Sequence, residues 1–264
     1  MIEQHSNIIR DPRIKRIVEY SKDSKQINIL DQRFYMRNGE YYPSVSNILN
    51  MFPKDQYYYS WLKEVGNNAD IIVAKASLEG RQVHKAIEDY LNGNEINWFD
   101  EYGNALYSLE VWKMILKFVD FWETHNPELV ALEYHLFSDE HKYGGTADLV
   151  VKLRDKLWLI DNKTSNSLHT TNNLQLAAYA QAWNETHDEK IEETGILWLK
   201  ASTRGEDRKG KNIQGAGWQL KPIGDVERNF EIFLKIYDIY KIENPDITPY
   251  SQMFPTSVKL SPNK

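Results

Sequence analysis

The chain has 264 residues, a formal charge of −6 at pH 7 and no cysteine. Without thiols there can be no disulfide, thiolate zinc site, iron-sulfur cluster or cysteine nucleophile, so any metal must be held by oxygen and histidine. The acidic balance argues against a surface that coats nucleic acid on every side, though not against a local basic groove; 41% hydrophobic and 27% charged residues place the chain among globular proteins with room for a substantial core.

No apolar stretch is long enough to span a bilayer, and MIEQHSNIIRDPRIKR lacks the apolar core of a secretory signal, which points to a cytoplasmic protein with no membrane partner. INILDQRFYMRNGEYY carries two aromatic-rich runs around Asn38-Gly39, a strong hairpin signal. Ser44 then caps a helix that starts at Val45. From there to about His125 the chain reads as helical, most clearly in LEGRQVHKAIEDYL and YSLEVWKMILKFVDFWETH.

After Pro127 the character changes. ELVALEYHLF, GGTADLVVKL and KLWLIDNK are apolar runs of strand length, and the tight turn at Arg154-Asp155 joins the last two as an antiparallel hairpin. A helix follows in NNLQLAAYAQAWNETH, with Asn172 or Asn173 near its start. ETGILWLKA and GWQLKPI read as further strands, and Asp225 to about Ile242 as a final helix. This order predicts a mixed sheet packed by helices, in the α/β or α+β range, within one domain. Residues 1–125 form a hairpin and helical part, 126–243 the sheet core, and 244–264 an extended tail.

Alternation along a strand sets Asp161 and Lys163 on one face, in line with Leu157 and Leu159. An ordinary ion pair is one reading. The hairpin turn offers another, because it brings Asp148 of the preceding strand close to Asp161, within one or two residues of register. Two carboxylates converging at one end of a sheet repel unless a cation lies between them. Magnesium, with its preference for hard oxygen ligands, meets that need, and Lys163 beside it could orient a water or offset negative charge.

GGTADLV, LIDNKTS and QLAAYAQAW, in that order, resemble the three successive blocks of the PD-(D/E)XK nuclease superfamily, in its RecB-like exonuclease branch. The matching positions are Gly145, Asp148, Asp161, Lys163, Thr164, Gln175 and Tyr179. GRQVHKAIE is similar to the upstream helix of that branch, with His84 at the histidine position; YPSVSNIL followed by Trp61 is similar to the lead-in of its phage and mitochondrial exonucleases.

The resemblance implies a restriction-endonuclease-like mixed β-sheet core flanked by helices. It implies Mg2+ or Mn2+ bound by His84, Asp148, Asp161 and the backbone carbonyl of Asn162, with Lys163 as the catalytic lysine. Gln175 and Tyr179, four apart on one helix face, would contact the scissile phosphate or hold the lysine; packing with polar tips is the structural alternative for both. Glu88 and Glu133 are further metal-ligand candidates. His84, in line with Ile87 and Leu91, could instead be a hydrogen-bonded core histidine.

Two segments suit nucleic acid. Lys200, Arg204, Arg208, Lys209 and Lys211 lie in a glycine-rich stretch that could contact phosphates or be a solvated loop. Tyr57, Tyr58, Tyr59 and Trp61 could stack unpaired bases or pack internally, and Thr164 adjoins the lysine. The implied activity is a DNA exonuclease on single-stranded or frayed ends in phage or bacterial replication or recombination, with partner proteins of those processes on other chains. A structure-specific endonuclease and a catalytically silent nucleic-acid-binding module are the alternatives.

Overall fold

A computed structural model describes residues 25–29, 32–200, 205–206, 212–213 and 217–245. Strands β1 (Lys25–Ile29), β2 (Gln32–Arg37) and β3 (Glu40–Pro43) form an antiparallel sheet of their own. The β2–β3 turn is the expected Asn38-Gly39, with φ of 52° and 81°, the left-handed backbone that two-residue hairpins require. Helix α1 (Val45–Leu49) starts where the Ser44 hydroxyl accepts the Asn47 N–H at 3.1 Å.

Helices α2 (Gln56–Val65), α3 (Ala69–Leu91) and α4 (Leu109–His125) follow. The expected helical continuity to His125 is interrupted between α3 and α4. Asn92-Gly93 ends α3, with Gly93 at φ 82°, and Asp100 then folds a loop on itself by accepting the Tyr102 and Asn104 N–H groups. Trp98 stacks on Trp112 at 5.7 Å, which ties that loop to α4.

Strands β4 (Glu128–Ser138), β5 (Tyr143–Leu153) and β6 (Lys156–Lys163), helix α5 (Thr170–Thr186) and strand β7 (Glu193–Trp198) come next. The two-residue strands β8 (Gly205–Glu206) and β9 (Asn212–Ile213) pair with each other, and β10 (Gln219–Pro222) and α6 (Val226–Glu243) complete the described chain. The principal sheet has the order β10-β7-β6-β5-β4; only β6 and β7 are parallel, and α5 makes the crossover between them. This is the expected α+β arrangement of a mixed sheet flanked by helices, preceded by an antiparallel hairpin.

Arg154 and Asp155, at φ 54° and 62°, close the predicted β5–β6 hairpin. Alternation then divides the core. Val150, Leu157 and Leu159 pack with Leu174, Ala178, Phe233 and Tyr237 on the α5–α6 side, whereas Val151, Trp158 and Ile160 pack with Val83, Ile87, Met114 and Phe118 on the α3–α4 side. No helix among the described residues is long and apolar enough to cross a membrane. The tail from 246 onward, and Arg204, Arg208, Lys209 and Lys211, lie outside the described residues.

Candidate metal centre

Register builds the site. The β5–β6 ladder runs from Leu153↔Lys156 to Leu149↔Ile160, so the next opposed pair is Asp148 and Asp161, where the two strands part. Asp148 Oδ2 accepts the Asn162 N–H at 2.7 Å, which holds the parting strands together through a carboxylate. Asp161 Oδ2 lies 2.7 Å from Lys163 Nζ, as an ion pair rather than an aligned hydrogen bond. Both aspartates are buried, at 8% and 3% exposure.

The third carboxylate comes from a defect in β4. Leu132↔Leu149 and Tyr134↔Ala147 bracket Glu133 and Asp148 in the β4–β5 ladder. In a regular strand residues two apart share a face, yet Leu132 and Leu149 pack on the α3–α4 side while Tyr134 and Ala147 pack on the α5–α6 side. Glu133 supplies the break with a φ of 45°. A left-handed backbone at a residue other than glycine costs on the order of 1–3 kcal/mol.

His84 enters from α3. Its neighbours Val83, Ala86, Ile87 and Leu91 bury one stripe of that helix against α4 and the sheet. The imidazole Nδ1 lies 3.5 Å from Glu133 Oε1 and 3.7 Å from Asp148 Oδ2. Ligand atoms of His84, Glu133 and Asp148 all fall within 4.8 Å of one another. The helix sits close because residue 80 has no side chain: a Cβ there would stand 3.2 Å from the Thr164 hydroxyl.

Electrostatics mark the cluster as a place where charge is concentrated. Burial pulls the His84 imidazole down, but Asp148, Glu133 and Asp161 together outweigh it and push it up to about 9. Burial raises Asp161 to about 6, aided by Asp148 and opposed by Lys163. Burial likewise raises Asp148, with His84 opposing and Glu133 reinforcing. For Lys163 burial acts downward, and the charges of Asp161 and Asp148 reverse it and raise the ammonium. Two aspartates that resist ionising together, with Glu133 and one imidazole beside them, could serve as donors to a hard divalent ion, and their oxygen-rich chemistry fits Mg2+ or Mn2+.

On the other side, α5 supports the lysine. Lys163 Nζ donates to Gln175 Oε1 at 3.0 Å, and Gln175 Nε2 donates to the Tyr179 hydroxyl at 3.1 Å, one helical turn on. Helix α5 opens on His169, whose N–H donates to Asn172 Oδ1 at 2.8 Å. Tyr179 in turn lies against Gly145.

The structure therefore brings together His84, Asp148, Asp161, Lys163, Gln175 and Tyr179. It places Glu133 within the ligand cluster and sets Asp161 beside it, paired to the lysine. Asn162 meets Asp148 through its N–H. Glu88, one helical turn beyond His84, lies outside this cluster and pairs with Lys85 at 3.1 Å. Tyr58 and Trp61 contact each other at 5.9 Å on α2, a helix that buries none of its residues. Lys200 Nζ donates to Asn166 Oδ1 at 3.3 Å, in the loop after Thr164. Sequence reasoning underrated Glu133, whose signal was its position opposite Asp148, countable outward from the β4–β5 turn.

No family model matches the chain. A stretch of 70 residues is 34% identical to an uncharacterised protein of Ureaplasma parvum serovar 3, covering 25% of this chain and 34% of that protein's length. The chain thus aligns with about a third of that relative.

Proposed function

We propose that the chain is a metal-dependent deoxyribonuclease of the PD-(D/E)XK class, an exonuclease acting on single-stranded or frayed DNA ends in the cytoplasm. The observation that carries this reading is the meeting of His84, Glu133 and Asp148 with the Asp161–Lys163 pair at the point where β5 and β6 part. His84, Glu133 and Asp148 would hold Mg2+ or Mn2+, with Asp161 adjoining. Bound there, the ion would polarise a phosphoryl oxygen and acidify water.

The chain's own groups supply the rest. Lys163 offers a fixed positive charge against the negative charge that grows on the phosphate during attack. Asp161 and Gln175 fix the direction of that ammonium, and Tyr179 fixes Gln175. Replication and recombination as the setting, and partners drawn from them, rest on the family resemblance.

The test is release of nucleotides from end-labelled linear single-stranded DNA in Mg2+ or Mn2+, beside closed circular DNA. The native chain should degrade the linear form and spare the circle. Lys163→Ala, checked for folding by its melting temperature, should lose at least about a hundredfold in rate. Full activity of Lys163→Ala would remove the lysine from its role; inertness of the native protein in both metals and on both DNA forms would refute the nuclease reading.

A further inference from the structure

Three lysines gather beyond the outer end of β7. Lys117, on α4, donates from Nζ to the Leu199 carbonyl at 2.9 Å, and the Leu199 N–H donates to the Lys163 carbonyl at 2.9 Å. Two hydrogen bonds thus connect Lys117 to the backbone of the proposed catalytic lysine. Lys113 precedes it by one helical turn, about 6 Å along the axis. Lys200 follows Leu199 directly and reaches Asn166 in the loop after β6.

Burial lowers the Lys117 ammonium, and the charges of Lys113 and Lys200 lower it further against the opposing pull of Glu110. Glu110, 3.0 Å from Lys113, is the acid that shares the patch. Three cations around one carboxylate repel one another. Lys117 has a structural use in capping a carbonyl. Lys113 is exposed and pairs with Glu110 one turn earlier, and among the described residues Lys200 bonds Asn166 in a surface loop, so neither is held by burial in the core.

We infer that Lys113, Lys117 and Lys200 form a track for a nucleic-acid backbone, carrying the strand past the end of β7 to Lys163. The inference rests on the nuclease reading and adds the route to it. An extended polyanion fits the arrangement better than a single small anion, because Lys113 and Lys117 follow one another along α4 and Lys200, past the end of β7, reaches to Asn166. Phosphates laid along them relieve the mutual repulsion and release counterions.

The experiment measures binding of a labelled single-stranded oligonucleotide by fluorescence anisotropy in Ca2+ between 50 and 200 mM KCl, for the native chain, Lys113→Ala/Lys200→Ala and the remote control Lys241→Ala. Each lost phosphate contact should flatten the slope of log affinity against log salt by about 0.7, so the double variant should be shallower by about 1.4 and the control unchanged. A double variant with the native slope, in a protein that still cleaves linear DNA in Mg2+, overturns the track and leaves the nuclease reading standing. A native chain that neither binds nor cleaves overturns both.

Discussion

At position 145 the site is shaped by a missing side chain. A Cβ there would stand 2.2 Å from Cε1 of Tyr179, whose ring is buried at 3% exposure and cannot swing away. Close passage of β5 under α5 thus places Tyr179, which orients Gln175, which orients Lys163. Gly145→Ala is expected to cost about 1–3 kcal/mol by overpacking and, on the proposed nuclease reading, to lower cleavage by at least tenfold even below its melting temperature. Chemical denaturation paired with the linear-DNA assay checks this; a variant with native stability and rate would mean that the chain of contacts does not matter. Residues such as this were legible in the sequence because each belongs to a short local pattern: a glycine three before an aspartate, an aspartate two before a lysine, a glutamine four before a tyrosine.

At the scale of the element, the sequence announced its turns well and its irregularities poorly. Asn38-Gly39 and Arg154-Asp155 both close hairpins through positive φ, and Ser44 caps α1. The helical reading to about His125 misses the stop at Asn92-Gly93, after which Trp98 and Tyr107 stack on Trp112 and hold a loop against α4. The break at Glu133 was hidden for a deeper reason. It depends on which face each of four neighbouring strand residues meets, a property of the assembled sheet rather than of β4 alone.

That break separates backbone cost from side-chain use. Glycine accepts a φ of 45° without strain, so Glu133→Gly removes both the strain and one carboxylate from a crowded cluster. Above pH 9, where His84 has lost the proton that Glu133 helps to hold, the metal-free variant should be at least as stable as the native chain; at pH 7 it should bind Mn2+ at least tenfold more weakly. Denaturant unfolding and calorimetric titration measure the two quantities. Loss of stability with unchanged Mn2+ affinity would assign Glu133 to the scaffold.

For the molecule as a whole, the cluster ties folding to protons and, on the proposed reading, to metal. The folded chain holds the His84 proton up to about pH 9, whereas the unfolded chain releases it near 6.5. This group therefore contributes stability that is complete below pH 6.5 and fades as pH rises toward 9. Asp161, raised to about 6 from 3.8, acts in the same direction at lower pH: the folded chain binds the extra proton, and stability falls as pH rises across that interval. A divalent ion bound here, as proposed above, would take the place of these protons, so its stabilising effect would grow as pH rises.

The most direct measurement is the melting temperature of the native chain and of Asp148→Asn between pH 6 and 9, with and without Mn2+. The account predicts that Mn2+ raises the native midpoint by an increment that increases with pH, and that Asp148→Asn loses most of that increment. An Mn2+ effect absent at every pH, or equally large in Asp148→Asn, would contradict the claim that these side chains share a divalent ion.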